Sequence, residues 1–230
     1  MSPEVTVVIP AYNAGEFITD AIYSVQIQDY PCHIVVVDDG STDRTVELAH
    51  QQKASVISLS ENKGAANALN VGINAIDSDY VCWLSADDCY LTRDKVSRQV
   101  KAMEETGADF SYYRSMRMGK SLRDSEAITP FSDVIMPYFP LAGVWLHNPI
   151  NGSSVMLRRS SIAKYGLFDP KLRNHDADGE MWMRWLKHGA KLVGLEGTAV
   201  FYRVHNGQSS KNRMEQAKFE AINRVKVLFD

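Results

Sequence analysis

Three groups of side chains in this sequence have types and spacings that could do chemistry. The first is Asp38-Asp39, at the end of the apolar run His33 to Val37 and followed by Gly40-Ser41-Thr42-Asp43. Gly40 and one hydroxyl suit any turn that leads into a capped helix. Two adjacent carboxylates at a buried strand's end are not explained that way, because they repel each other. A carboxylate there can accept the imide N–H of a uracil or thymine ring. The second group is Asp87-Asp88, after Trp83-Leu84-Ser85-Ala86. The plain alternative is a polar strand exit. The functional reading is a divalent-metal site, since Mg²⁺ and Mn²⁺ take few carboxylates plus phosphate oxygens and water. Such an ion bridges a diphosphate and neutralises the charge that grows as it leaves. The third group is Asp176, Asp178 and Glu180, ahead of Trp182 and Trp185. Acidity that complements a helix dipole accounts for any one of these.

The elements that must position these groups alternate. Val5 to Pro10 is a β-branched run stopped by proline. Phe17 to Gln28 has helical periodicity, and His33 to Val37 is a second strand. A helix capped by Ser41-Thr42-Asp43 and running to about Gln52 comes next, then a strand from Ala54 to Leu59, a helix from Gly64 to Ile76 and a strand from Tyr80 to Leu84. Lys95 to Thr106 reads as a helix and Asp109 to Arg114 as a fifth strand. Continuous apolar strands indicate burial on both faces. The pattern predicts an α/β fold, an open, mostly parallel twisted sheet with helices on both faces. Ligands in such sheets bind beyond the carboxyl ends of the strands. Pro10-Ala11-Tyr12-Asn13, Asp38-Asp39 and Asp87-Asp88 all fall at that edge.

The second half is less regular. Lys120 to Asn148, with prolines at 130, 137 and 140, reads as a loop-rich segment with a short helix. Asn151 to Arg158 reads as a strand, Ser160 to Tyr165 and Glu180 to His188 as helices, and Lys191 to Tyr202 as containing the last strand. The tail from Gln216 is amphipathic and helical. The expectation is one domain over 1–230, with a nucleotide-sugar half over about 1–115, an acceptor half over about 116–210 and a C-terminal helix over 211–230.

The 230 residues are 45% hydrophobic and 23% charged, with a net charge of -3. That balance belongs to an ordinary globular protein and argues against a nucleic-acid binder, which concentrates Lys and Arg. Cys32, Cys82 and Cys89 show no C-x-x-C spacing and read as reduced, mostly buried thiols of a cytoplasmic protein. No apolar stretch approaches the length that spans a bilayer, and Met1-Ser2-Pro3-Glu4 does not open a signal peptide. Peripheral membrane association stays open, because Met136 to Trp145 is apolar and aromatic.

Taken in order, Val8-Ile9-Pro10-Ala11-Tyr12-Asn13, Val36-Val37-Asp38-Asp39-Gly40-Ser41-Thr42-Asp43, Asn62-Lys63-Gly64 with Ala68, Asn70 and Gly72, and Asp87-Asp88 resemble the family 2 glycosyltransferases of the GT-A fold. Asn151 to Arg159, Gly166-Leu167-Phe168-Asp169, Asp178 to Arg184 and Tyr202-Arg203-Val204-His205 continue the resemblance, over roughly residues 5 to 210. It implies an inverting transfer of sugar from a nucleoside-diphosphate sugar, a UDP-sugar first of all, to a glycan or lipid-linked glycan acceptor. Pro10, Ala11, Tyr12, Asn13 and Asp39 would hold the base and ribose, with Gly64 beside them. Asp87 and Asp88 would divide the ribose and Mn²⁺ or Mg²⁺ roles. Asp178 would be the base that deprotonates the acceptor, with Asp176 in reserve. His205 is either a further metal ligand or an ordinary loop histidine. Arg203 pairs either with the diphosphate or with a core carboxylate. His147 and His175 are weaker candidates for acceptor contact. Three positions depart from the family pattern. Ser85 stands where the first Asp of Asp-x-Asp-Asp is usual, Leu69 where arginine is common, and Ala177 where the Glu of a Glu-Asp pair is usual. Those losses define the alternative, a catalytically impaired nucleotide-sugar-binding or scaffold protein.

Overall fold

The computed structural model describes residues 2–130, 136–208 and 213–229, with the backbone alone for residues 213, 215, 216 and 228. Strand β1 (Val5–Ala11), helix α1 (Ile18–Gln26), β2 (His33–Asp38), α2 (Thr45–Gln51), β3 (Ser55–Ser58), α3 (Ala65–Asn74) and β4 (Tyr80–Trp83) follow one another in strict alternation. The four strands run parallel in the order β3-β2-β1-β4, with Ala11 beside Asp38 and Val8 beside Trp83. Alternate residues of β1 serve opposite faces. Val5, Val7 and Ile9 pack with Ile18, Ile22 and Val25 of α1, whereas Val8 packs with Val35, Val37 and the α3 residues Leu69 and Ile73. Both faces are therefore buried, which is why these strands read as unbroken apolar runs. Helix α3 lies very close to the sheet. A Cβ on Gly72 would stand 2.5 Å from Val8 Cγ1 and 2.8 Å from Val37 Cγ2.

The chain continues through β5 (Cys89–Tyr90), α4 (Lys95–Thr106), β6 (Phe110–Gly119), β7 (Ser125–Ile128), α5 (Pro140–Leu146), β8 (Met156–Arg158), α6 (Arg159–Tyr165), α7 (Ala177–Lys187), β9 (Leu192–Arg203) and α8 (Arg213–Phe229). The order of one continuous sheet is β3-β2-β1-β4-β8-β6-β9-β5, with β7 hairpinned onto β6. β6 and β9 are parallel, while β8 is antiparallel to both β4 and β6. Helix α7 anchors this half: Trp182 and Trp185 are fully buried against Phe110, at ring distances of 5.3 and 5.6 Å.

Several boundaries differ from the sequence reading. Asn151 to Arg158 is not one strand, because Ser154 folds back on the Asn151 carbonyl through both its N–H and its Oγ. The result is a 3₁₀ turn over Gly152–Ser154 before β8. Helix α7 starts three residues early, since Glu180 N–H already bonds to the Asp176 carbonyl. β7 sits inside the segment read as loop. Ser41 and Thr42 do not cap α2, where Asp43 instead accepts the Thr45 N–H at 3.0 Å. Of the three free cysteines only Cys82 is buried, and Cys32 and Cys89 are half-buried. Residues 131–135 of the loop-rich segment and residues 211, 212 and 230 of the expected C-terminal helix lie outside the described residues. Among the described residues no helix is long and apolar enough to cross a membrane.

Candidate active site

The carboxyl ends of β1 and β2 open into a cleft of about 630 Å³, lined by Pro10, Ala11, Tyr12, Asn13, Asp39 and Gly64 together with Asp87 and His205. Its first loop is braced by its second. Ser41 Oγ accepts the Asn13 N–H at 2.8 Å, and Asn13 Oδ1 accepts the Thr42 N–H at 2.9 Å, with Asn13 held at φ +48°. Asp43 accepts from Gly15 N–H at 2.9 Å and from the Thr45 hydroxyl. Burial pushes the Asp43 carboxyl up, but these hydrogen bonds outweigh it and hold it below the usual range. The two members of the first acidic pair have different surroundings. Asp38 accepts the Ser41 N–H and closes its own turn. Asp39, only 2% exposed, accepts the N–H groups of Lys63 at 2.9 Å and Gly64 at 2.7 Å, leaving further lone pairs on the cleft side. Gly64 has φ +95°, and a Cβ there would meet the Arg173 backbone at 2.9 Å. Tyr12 stands half exposed at the rim.

The second acidic pair also divides. Asp87 Oδ2 lies 2.9 Å from His205 Nε2, and both line this cleft. Asp88 is buried, accepts from Ser153 Oγ and from Arg203 N–H, and faces the neighbouring cleft. Burial first, and then the charge of Asp87, push the Asp88 carboxyl well above the usual range. Asp87 and His205 offer an oxygen and a nitrogen donor to the same cleft, a pair that fits a hard cation whose other ligands are phosphate oxygens and water. Asp88 is engaged by Ser153 and the Arg203 N–H, whereas Asp87 shares its cleft with His205. Among the described residues no three His, Cys, Asp or Glu side chains converge as a complete metal cage. Arg203 is directed elsewhere too. Its Nε donates to the Asp87 carbonyl at 3.0 Å and its Nη2 to Asp20 at 3.1 Å, between the rings of Phe17 and Phe201. It lines neither cleft, and the carboxylate its guanidinium pairs with is exposed Asp20 rather than a core carboxylate.

A second cleft, of about 470 Å³, meets the first at Ala65, Ser85 and Asn174. Asp178 lines it from the first turn of α7, with Asp176, His147, Asn148, Trp83 and Met116 around it. Burial pushes the Asp178 carboxyl up to about 6, and charge on Glu220 adds to the rise. Asp176 is pushed up to about 7 by burial and then by Asp178. Leu69 is core and contributes an apolar wall here. Lys63 is exposed and pairs with Glu61 at 3.0 Å. His147 faces this cleft, and His175 stacks on Phe219 at 5.0 Å.

A nucleotide-sized cleft at the strand ends, joined to a second cleft holding a carboxyl of raised pKa, suits group transfer between two substrates. The profile described as "Glycosyl transferase family 2" matches residues 6–166, well over half of the chain. The chain belongs to glycosyltransferase family 2. Its relatives include "Putative teichuronic acid biosynthesis glycosyltransferase TuaG" of Bacillus subtilis, 32% identical over 94% of this chain and 85% of that one. Another is "UDP-Glc:alpha-D-GlcNAc-diphosphoundecaprenol beta-1,3-glucosyltransferase WfaP" of Escherichia coli, 28% identical over 92% of this chain and 82% of that one. Among solved structures, the mannosyltransferase PcManGT of Pyrobaculum calidifontis, in complex with GDP-Man and Mn2+, superposes with a TM-score of 0.76 at 20% identity. That likeness covers 100% of this chain and 65% of PcManGT. A fragment of S. aureus TarS in complex with UDP-GlcNAc superposes with a TM-score of 0.73 at 18% identity, over 96% of this chain and 66% of that one. The fold is the GT-A fold.

Several residues of this family 2 glycosyltransferase escape sequence reading. Asn174 lines both clefts, and its Oδ1 accepts the Ala65 N–H at 2.6 Å. Ser153 Oγ joins Asp88 to the Ser85 N–H at 3.1 Å. Asn148 Nδ2 reaches Asp178 at 3.5 Å. The only signal for Ser153 was its place in the Asn151-Gly152-Ser153-Ser154 motif, and Asn148 and Asn174 belong to no motif.

Proposed function

We propose that this protein is an inverting glycosyltransferase. It moves a sugar from a nucleoside-diphosphate sugar, a UDP-sugar first of all, to an acceptor hydroxyl in polysaccharide or glycolipid assembly. One observation carries the reading: the two clefts meet at Ala65, Ser85 and Asn174, with Tyr12, Asn13, Asp39, Asp87 and His205 on one side and Asp178 on the other. WfaP, named for a UDP-Glc donor and a diphosphoundecaprenol acceptor, and the UDP-GlcNAc complex of TarS support a UDP-sugar and a lipid-linked glycan. One chain unit then serves two substrates, the nucleotide half over about 1–115 and the acceptor half over about 116–210.

The residues divide the work as follows. Tyr12 offers a ring face to the nucleobase. Asp39 holds the Lys63–Gly64 turn and presents its remaining lone pairs to the base imide. Asp87 and His205 hold the divalent cation, Mn²⁺ or Mg²⁺, whose contribution when bound is to neutralise the charge of the departing diphosphate. Arg203 fixes the Asp87 backbone and so positions that carboxylate. Asp178 takes the proton of the acceptor hydroxyl. The acceptor oxygen then bonds to the anomeric carbon from the face opposite the nucleotide, and the bond from that carbon to the diphosphate breaks. A carboxyl with a pKa of about 6 is ionised at neutral pH and still a better base than an ordinary aspartate.

Calorimetric titration with UDP and GDP, with and without Mn²⁺, tests this reading. UDP should bind, Mn²⁺ should tighten it by roughly tenfold or more, and Asp87→Ala should remove that gain while leaving metal-free binding intact. A protein that binds neither nucleotide contradicts the proposal. Binding without any sugar transfer is the result expected of the impaired scaffold suggested by Ser85 and Ala177.

A further inference from the structure

Helix α8 lies beyond the residues that the family profile matches. Its inward face carries Phe219, Glu220, Asn223, Arg224 and Val227, the spacing of one helix face. Phe219 stacks on His175, Arg224 Nε donates to the Trp145 carbonyl at 2.6 Å, and the Val227 carbonyl accepts from Lys187 Nζ at 2.8 Å. Asn223 sits in the middle of that face and is only 2% exposed. A buried amide at a position where an apolar side chain would pack is costly unless its hydrogen bonds are made. Its Nδ2 makes two, to the Asp176 carbonyl oxygen at 3.3 Å and to Asp176 Oδ2 at 2.9 Å.

Asp176 needs holding. It is a non-glycine residue at φ +53°, in the left-handed region, two positions before Asp178. Its carbonyl accepts the Glu180 N–H at 3.0 Å, which starts α7. Its side chain lies over Gly179, where a Cβ would stand 2.1 Å from Asp176 Oδ1. Such a backbone persists only where the surroundings fix it. The charged groups facing Asp176 are Asp178 on α7 and Glu220 and Arg224 on α8. Asp178 in turn faces Glu220 and the amide of Asn148, and Glu220 pairs with Arg224 at 3.1 Å.

We propose that Asn223 is a positioning residue, whose two hydrogen bonds to Asp176 hold the turn that sets the Asp178 carboxyl in the acceptor cleft and make α8 part of the active site. The inference rests on Asp178 being the base, so its test uses two readouts. One is a carboxyl-carbon NMR titration of Asp176 and Asp178, which needs no substrate. The other is UDP release from UDP-glucose and UDP-GlcNAc with Mn²⁺. Asn223→Leu should bind UDP within about twofold of wild type, yet lose roughly ten- to hundredfold in UDP release. It should also shift the Asp178 midpoint by about half a unit or more. The exchange Asp176→Asn with Asn223→Asp keeps one hydrogen bond with donor and acceptor reversed, and should recover turnover to within about threefold. An Asn223→Leu protein with unchanged turnover and unchanged midpoints overturns the proposal. So does one whose UDP affinity falls as much as its turnover, which marks a purely structural role. Should Asn223→Leu fail to fold, the exchange decides, and a folded exchange protein below about a tenth of wild-type turnover overturns the proposal. Should wild type release no UDP, the donor reading fails and the NMR midpoints alone decide the proposal. Full turnover by Asp178→Asn removes the base reading instead, without touching the Asp176 result.

Discussion

Asp176 combines burial with a neighbouring carboxylate, and its pKa of about 7 is a statement about stability. An unfolded aspartate loses its proton near pH 4, whereas this one keeps it to about 7. Between those values the native state binds more protons than the unfolded state, so stability falls as pH rises through that window. Asp176→Asn should flatten the decline and be more stable than wild type at pH 8, by roughly 4 kcal/mol at most. Urea titrations of both proteins at pH 5 and pH 8 check the sign. Gly152 marks a different constraint, since a Cβ there would sit 2.2 Å from the Trp83 ring. Gly152→Ala should cost about 1–3 kcal/mol by overpacking, seen in calorimetry as a Tm loss of roughly 2–10 °C. It should also disturb the adjacent Ser153–Asp88 contact. Sequence could single out Asp39, Asp87, Asp178 and His205 because each sits in a short motif. Ser153 and Asn174 act on groups 65 and 109 residues away, and no local pattern carries that. Motif position also could not divide Asp87 from Asp88, because burial and hydrogen bonding, not spacing, separate them.

At the scale of elements, the N-terminus of α3 is where the two halves of the glycosyltransferase lock. Its first N–H groups are taken by Asp39, by Asn174 Oδ1 and by the Arg173 carbonyl. Arg173 Nη2 also holds the Asn62 carbonyl at 3.0 Å. Asn174→Ala removes a side-chain cap, at a cost of about 1 kcal/mol. Because Asn174 lines both clefts, the variant should also raise KM for the donor several-fold while leaving the pH profile of kcat unchanged. Steady-state kinetics with the donor varied checks both outcomes. The parallel strands and their helices were legible because burial on both faces writes long apolar runs. β5 and β7 were not, being two and four residues long and held by pairing to distant strands. The 3₁₀ turn at Gly152–Ser154 looked like strand because its apolar neighbours Val155 to Leu157 dominate the pattern.

The whole molecule places Tyr12, Asn13, Asp39 and Asp87 after the early, parallel strands, His205 just after β9 and the candidate base on α7, with α8 packed behind it. The two clefts share Ala65, Ser85 and Asn174, so in the proposed reaction donor and acceptor would meet at those residues. Fold and family were readable from the ordered motifs alone. The division into two clefts was not, because it depends on which side of the sheet edge each carboxylate faces. In the proposed reaction Asp178 takes the acceptor proton and contributes nothing to nucleotide binding. The most direct measurement is therefore sugar transfer and UDP affinity measured on the same preparation of Asp178→Asn. UDP affinity should stay within about twofold of wild type while transfer falls by about 10²- to 10⁴-fold. Transfer within about tenfold of wild type, or an equal loss of UDP binding, would contradict this role for Asp178.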